Sequence, residues 1–171
     1  MKILAIGKNY VEKKEEISAN KSGNQIIFSK PESSLVIANA DILYPSFTND
    51  LRYEAELVIK VGKTGKDISK EAANSYISEI GIGIDFTAKD IFDKYRELKG
   101  PWDLGKGFDG AAPISSFKAV SAFSDLNNID FSLKINKKEV QSGNTCLMIY
   151  SFSEIIAFVS RFMTLQPGDL I

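Results

Sequence analysis

The sequence of 171 residues contains no histidine and a single cysteine, Cys146. The lack of histidine excludes the commonest general base, the commonest transition-metal ligand and any nucleophile pair of the Ser-His or Cys-His type. Acid–base chemistry must therefore use carboxylates, lysine, tyrosine or metal-bound water. One cysteine cannot form an intrachain disulfide, which favours a reducing compartment and predicts a cytoplasmic location.

Long apolar runs and an excess of charge of one sign are also missing. No apolar run approaches the roughly 20 residues that a membrane-spanning helix needs, and residues 1–7 lack the cleavage site of a signal peptide. The net charge is −1, with acidic and basic residues interspersed. This balance indicates neither a nucleic-acid partner nor a membrane surface.

Short strands and short helices are predicted along the whole chain. Hydrophobic patterns predict strands at 2–6, 25–29, 51–61 and 80–86, strand segments within 35–44, and a hairpin formed by 129–135 and 139–141. Helices are predicted at 9–18, 67–80, 88–98 and 153–162, and residues 102–113 are predicted to form a glycine-rich loop. Since strands outnumber helices and hairpins coexist with helices, the fold class is α+β.

The chain shows no linker or internal repeat, so we expect one domain over residues 1–171. Residues 164–171 resemble a turn that feeds a strand of about two residues, shorter than the usual five or six. Either this strand is a stub, or the domain is incomplete at its C-terminus. The helix at 9–18, with Asn9 as its N-cap, is mostly charged, which is typical of an exposed helix or a lid.

Two glutamates stand out in the strand at 51–61. Glu54 and Glu56 are two residues apart and point to the same face of a strand, whereas Leu57, Ile59 and Val61 take the opposite register. Like charges side by side repel, and burial adds to the cost. A divalent cation such as Mg²⁺ or Mn²⁺ would compensate both carboxylates. The alternative is an edge strand whose glutamates face water.

Asp85 and Lys106 are the best candidates to complete such a site. Asp85 ends a buried strand, where it can serve as a metal ligand or as the N-cap of the next helix. Lys106 lies between two glycines and can bind a substrate oxygen or remain solvated. The stretch from Gln141 to Thr145 offers hydrogen-bonding groups that are equally compatible with turn chemistry.

Taken together, these residues resemble the fumarylacetoacetate hydrolase family. The motifs that carry the resemblance are Gly-Lys-Asn-Tyr (7–10), Phe-Ser-Lys-Pro-Glu-Ser (28–33), Tyr-Glu-Ala-Glu-Leu (53–57), Gly-Ile-Asp-Phe-Thr-Ala-Lys-Asp (83–90), Gly-Pro-Trp (100–102), Gly-Lys-Gly-Phe-Asp (105–109), Pro-Ile-Ser (113–115), Gln-Ser-Gly-Asn-Thr (141–145) and Pro-Gly-Asp-Leu-Ile (167–171). The short members that the chain resembles are acylpyruvate hydrolases, oxaloacetate decarboxylases or tautomerases, and hydroxy-heptadienedioate isomerases.

The resemblance implies a mixed β-sandwich roll with short helices and an N-terminal lid helix. It implies that Mg²⁺ or Mn²⁺, held by three carboxylates, chelates a small 2-oxo acid and stabilises its enolate. It also implies a homodimer. The residues implicated are the metal ligands Glu54, Glu56 and Asp85, the catalytic residues Lys13, Glu16 and Lys106, and the substrate-binding residues Lys30, Lys89, Gln141 and Thr145.

Several positions depart from the family pattern. Lys13 stands where the family has the histidine of a water-activating dyad with Glu16, Lys89 replaces an arginine, and Phe92 replaces a glutamine. The family also continues beyond the Gly-Asp-Leu-Ile motif. Two hypotheses follow: an enzyme that favours tautomerisation or decarboxylation over hydrolysis, or a degenerate, non-catalytic member that binds metal or ligand and dimerises.

Overall fold

The computed structural model describes residues 1–37 and 40–171, so part of the strand segments predicted around residues 38 and 39 lies outside the described residues. The strands are β1 (Ile3–Gly7), β2 (Ile26–Lys30), β3 (Leu35–Ile37), β4 (Leu51–Val61), β5 (Ile77–Ala88), β6 (Ala112–Ile114), β7 (Lys118–Ala119), β8 (Asp130–Ile135) and β9 (Lys138–Asn144). The helices are α1 (Ile17–Asn20), α2 (Lys70–Ala73), α3 (Lys89–Glu97), α4 (Asp103–Lys106) and α5 (Phe152–Ser160).

A mixed sheet forms the centre of the fold. Its strand order is β3-β6-β5-β4, with β7 also paired to β5. The β3–β6 pair is parallel and the β4–β5 pair is antiparallel, in register from Leu51 opposite Ala88 to Val61 opposite Ile77. Two-stranded antiparallel sheets, β1–β2 and β8–β9, flank it. Together with the short helices, this architecture confirms the α+β prediction.

The main core lies where β4 and β5 pack against α5. Alternate residues of β4 point inward, and Ile59 and Val61 are among the most deeply buried side chains, together with Ile80 of β5 and Ile156 of α5. The helix α5 begins with a capping box, in which the Ser151 and Glu154 side chains satisfy each other's backbone N–H groups. This cap fixes the apolar face of α5 toward the sheet.

The predicted helix at 9–18 is wrong in its first half. Residues 9–13 are not helical, and a short 3-10 helix at Lys14–Glu16 leads into α1. Asn9 does not cap a helix because its side-chain amide binds the backbone N and O of Tyr150, both at 2.9 Å. Long-range hydrogen bonds therefore hold this segment extended against residue 150.

Other element boundaries also differ from the sequence prediction. The helix predicted at 67–80 is only α2 followed by a 3-10 turn at Asn74–Tyr76, because β5 begins at Ile77 to pair along the full length of β4. The segment 102–113, predicted as loop, contains α4. No helix in residues 1–37 and 40–171 combines the length and the apolar character needed to cross a membrane.

Candidate active site

The β4–β5 register brings three carboxylates to one face of the central sheet. Glu54 pairs directly with Asp85, and Glu56 pairs with Gly83. Cross-strand partners point to the same face, as do residues two apart on one strand, so all three acidic side chains share this face. Directly opposite Cβ atoms lie about 5 Å apart.

Lys106 reaches into this group of acids from α4. Its Nζ lies 2.5 Å from Asp85 Oδ2 and 3.1 Å from Glu54 Oε2. The lysine is only 7% exposed, and its ammonium stands 5.2 Å from the centre of the Phe28 ring. Lys106, which the sequence alone leaves open as solvated or ligand-binding, is therefore buried among carboxylates.

Lys30, at the end of β2, approaches Asp85 from the other side. Its Nζ lies 2.7 Å from Asp85 Oδ1 and also donates hydrogen bonds to backbone carbonyls of Lys106, Ala111 and Phe86. Burial lowers the pKa of Lys30, against the opposing influence of Asp85. Asp85 thus lies between two lysine ammonium groups.

Glu56 differs from the other two carboxylates. Within the described residues its side chain has no ion pair or hydrogen bond. Burial, and then the nearby charges of Asp85 and Glu54, raise its pKa to about 8. A half-buried carboxylate with two acidic neighbours lacks compensation that a cation would supply.

The donor set fits a hard divalent cation. With Glu56 ionised, the three carboxylates and two ammonium groups sum to −1, and oxygen ligands of this kind suit Mg²⁺ or Mn²⁺. Across residues 1–37 and 40–171, however, no three Asp, Glu, Cys or His side chains are arranged as a metal cluster. The Lys106 ammonium instead contacts two of the acids directly. The carboxylates share a face without meeting around one point.

A cavity of about 520 Å³ opens beside the three carboxylates. Six of the predicted site residues line it: Lys30, Glu54, Glu56, Asp85, Lys89 and Lys106. Lys89 also forms an ion pair with Asp93 of α3. The structure therefore brings the three predicted metal ligands, the predicted catalytic residue Lys106 and two of the predicted substrate-binding residues to one cavity.

The other four predicted residues do not line this cavity. Lys13 and Glu16 are exposed on the segment that precedes α1. The Gln141 side chain binds the backbone N and O of Ala55, at 2.7 and 3.0 Å. Thr145 is buried, and its hydroxyl accepts a hydrogen bond from the Ile129 backbone N–H. The catalytic and substrate-binding roles of these four residues stay predictions.

Further cavity residues were not singled out as functional by the sequence. Phe28 and Trp102 meet edge to face, with ring centres 5.6 Å apart, and Phe92 also meets Trp102 edge to face, at 5.1 Å. Arg52 and Arg96 also line the cavity. Spacing could have found both arginines: Arg52 is two residues before Glu54 on one strand face, and Arg96 is one turn after Phe92 on α3.

Comparison with known proteins places this site in a family. The model of the C-terminal domain of fumarylacetoacetate hydrolase matches residues 2–171. Mitochondrial oxaloacetate tautomerase FAHD1 of Bos taurus is 32% identical over 169 residues, covering 99% of this chain and 76% of the relative. Mitochondrial oxaloacetate decarboxylase of Dictyostelium discoideum is 34% identical over 171 residues, covering 99% of this chain and 78% of the relative.

The fold agrees with these sequence matches. The crystal structure of fumarylpyruvate hydrolase from Pseudomonas aeruginosa, in complex with Mn²⁺ and pyruvate, superposes with a TM-score of 0.89 at 31% identity. The superposition covers 99% of this chain and 75% of that one. The predicted resemblance and roll-type fold are thereby confirmed, and the chain belongs to the fumarylacetoacetate hydrolase family.

Proposed function

We propose that this chain is a divalent-metal-dependent enzyme that converts a small 2-oxo acid by tautomerisation or decarboxylation. The observation that carries the proposal is the shared face of Glu54, Glu56 and Asp85 beside the cavity, with Lys106 among them. The relatives named oxaloacetate tautomerase and oxaloacetate decarboxylase, and the relative crystallised with Mn²⁺ and pyruvate, support this class of chemistry.

The three carboxylates would hold Mg²⁺ or Mn²⁺. When bound, the cation supplies Lewis-acid polarisation of the 2-oxo acid's oxygens and so favours negative charge on them. It would also compensate Glu56, the acid without a cationic partner among the described residues. This role explains why three acids are kept together on a partly buried sheet face, where their mutual repulsion otherwise costs stability.

Lys106 acts on the substrate in this proposal. Its ammonium is a compact positive charge with three donors, held at the cavity wall by α4. It would donate a hydrogen bond to the substrate oxygen on which enolate charge develops, an interaction that strengthens in the transition state. The largely apolar cavity limits water around that charge and strengthens the interaction.

The surroundings favour an enolate route over hydrolysis. Lys13 and Glu16 are exposed and do not line the cavity, which supports a reaction that does not use them to activate water. Tautomerisation and decarboxylation need no activated water, whereas cleavage of an acylpyruvate does.

The second candidate is a non-catalytic family member that binds metal or ligand and forms a homodimer. The same exposure of Lys13 and Glu16, together with Phe92 against Trp102, favours it. Homodimer formation and a cytoplasmic location belong to both candidates as proposals. Sedimentation of the purified protein tests the first of them.

Metal binding and turnover are the decisive measurements. Mn²⁺ is titrated into the protein and followed by electron paramagnetic resonance, and oxaloacetate enol absorbance is followed with Mg²⁺ or Mn²⁺. We expect Glu56→Gln to weaken Mn²⁺ binding by at least about tenfold and to abolish turnover, because one of three anionic ligands is lost. The matched control is Glu79→Gln on β5, where Glu79 pairs with Lys60 at 2.6 Å away from the cavity.

Each outcome decides between the candidates. Mn²⁺ binding with turnover in the wild type and in Glu79→Gln, with weaker Mn²⁺ binding and no turnover in Glu56→Gln, supports the enzyme. Mn²⁺ binding without turnover on oxaloacetate or an acylpyruvate supports the non-catalytic member. No Mn²⁺ binding by the wild type contradicts the metal site in both.

A further inference from the structure

We propose that Lys30 is a positioning residue that fixes Lys106 and Asp85 in place, and that it does not bind the substrate. This assignment replaces the substrate-binding role expected for Lys30 from the family resemblance. The expected effect on kcat rests on the proposed function, whereas the expected effect on the position of α4 does not.

The donors of Lys30 are already used. An ammonium group has three N–H donors. In this structure Nζ donates to the carbonyl of Ala111 at 3.0 Å, to that of Phe86 at 3.2 Å and to that of Lys106 at shorter range. Lys30 is 4% exposed. A substrate oxygen would have to displace one of these carbonyls and leave it buried without a donor, which is unfavourable.

The three carbonyls belong to three separate parts of the site. Phe86 directly follows Asp85 on β5, Lys106 is the last residue of α4, and Ala111 immediately precedes β6. One nitrogen therefore ties the end of β5, the end of α4 and the start of β6 to the end of β2. The Lys30 charge, 2.7 Å from Asp85 Oδ1, adds an ion pair to the same carboxylate that Lys106 contacts.

Lysine suits this arrangement better than arginine. Its three donors diverge from one nitrogen, which matches three carbonyls that converge on one point. The guanidinium of arginine carries its donors in a planar fork spread over three nitrogens. Lys30→Arg therefore keeps the positive charge beside Asp85 but loses the convergent hydrogen bonds. The substitution separates a positioning role from a role as counter-charge.

Trp102 reports the position of α4. It is the only tryptophan of the chain, and its carbonyl accepts hydrogen bonds at 2.9 Å from the backbone N–H groups of Gly105 and Lys106. Its ring packs against Phe28 of β2 and Phe92 of α3. A shift of α4 away from β2 would open these contacts and move the tryptophan emission to longer wavelength.

The experiment compares the same substitution at two buried lysines. In Lys30→Arg we expect red-shifted Trp102 emission and a kcat lower by on the order of 100-fold, because a misplacement near 1 Å costs about that much. We expect KM to change less than about threefold. In Lys106→Arg, whose side chain is hydrogen-bonded to carboxylates and to no backbone carbonyl, kcat falls while the emission shifts less than in Lys30→Arg.

A chemical rescue keeps the test valid where Lys30→Arg fails to fold. Lys30→Cys in a Cys146→Ser background is unfolded, alkylated with 2-bromoethylamine and refolded, which restores an ammonium of nearly the same reach. We expect the wild-type emission and kcat to return, and a failure to recover the emission would overturn the proposal.

Two results of the first comparison would also overturn it. One is a KM raised more than about tenfold in Lys30→Arg with kcat and emission unchanged, the pattern of a substrate ligand. The other is a folded Lys30→Arg with wild-type emission, kcat and KM. Measuring the Trp102 emission needs neither metal nor substrate. A wild type without turnover would therefore contradict the proposed function but leave the positioning role of Lys30 to be tested by the emission.

Discussion

Gln141 shows how a single side chain can substitute for a strand. The backbone N–H and C=O of Ala55 lie between Glu54 and Glu56 on β4, and the Gln141 amide binds both, at 2.7 and 3.0 Å. These two hydrogen bonds are the kind that a neighbouring strand would make. They hold β4 to β9 at the point where the two glutamates leave the backbone.

We expect Gln141→Ala to lower the free energy of unfolding by about 1 to 3 kcal/mol, because two partly buried backbone groups lose their partner. Urea denaturation measures this change. The control Gln166→Ala, at an exposed position, should change stability by less than about 0.5 kcal/mol. A rise in KM in Gln141→Ala without loss of stability would instead support the predicted role in substrate binding.

Local pattern is enough to identify some residues of this site and not others. The two-residue repeat along β4 places Glu54 and Glu56 on one face from sequence alone, and Asp85 stands out as the acid near the end of the predicted strand at 80–86. The pairing of Glu54 with Asp85 depends on strand register, which is a long-range property. The contacts of Lys30 with residues 86, 106 and 111 depend on three separate segments and have no local signal.

At the scale of elements, the sequence predicts the bounds of a strand or helix well where the local pattern of residues all favours one structure. The strand β4 was predicted at 51–61, as observed, because β-branched residues and alternation both favour it. The helix α4 was missed because glycines flank Lys106, and glycine is a poor helix former. Its position is explained by packing against α3, which leaves no room for a side chain at Gly105.

We expect Gly105→Ala to destabilise the protein by about 1 to 3 kcal/mol, the usual cost of overpacking. A Cβ there would lie 2.8 Å from both Cα and Cβ of Phe92, so the backbone of α3 would have to move. Helix propensity alone predicts the opposite sign, a gain of about 1 kcal/mol. Steric overlap with backbone outweighs that gain.

Urea denaturation followed by Trp102 fluorescence checks this prediction for the α3–α4 contact. The control Leu104→Ala removes an exposed side chain of the same helix and should change stability by less than about 0.5 kcal/mol. Should Gly105→Ala prove more stable than the wild type, the contact between α3 and α4 must be looser than in this structure.

At the scale of the whole molecule, residues 168–171 join the β1–β2 pair to the central sheet. Leu170 exchanges hydrogen bonds with the β1 end, from Leu4 N to Leu170 O and from Leu170 N to Lys2 O, both at 2.9 Å. Ile171 pairs with Ile59 of β4 through two more, at 2.8 and 3.0 Å. The sequence indicated a turn and a short strand here, but its partners are too far away along the chain for local pattern to identify.

Asp169 anchors this junction. It is 1% exposed and accepts hydrogen bonds at 2.8 Å from the backbone N–H groups of Lys2 and Gln166, while Lys2 Nζ lies 2.5 Å from it. Burial acts to raise its pKa, but these hydrogen bonds and the lysine outweigh burial and lower it. A carboxylate whose pKa is lowered in the folded state stabilises that state when it is ionised.

We expect Asp169→Asn to lower the free energy of unfolding by about 3 kcal/mol at pH 7, because it removes the charge that faces Lys2 and two partly buried N–H groups. The sign of the pH dependence follows from the lowered pKa: the stabilisation is complete above the ordinary value of 3.8 and is lost as the pH falls below it. Urea denaturation between pH 7 and pH 3 should therefore show the unfolding free energies of the wild type and Asp169→Asn becoming more similar as the pH falls.

The control Asp109→Asn, at an exposed position, should match the wild type throughout. A gap between wild type and Asp169→Asn that does not narrow below pH 3.8 would mean that packing, and not the ionised carboxylate, joins the two sheets.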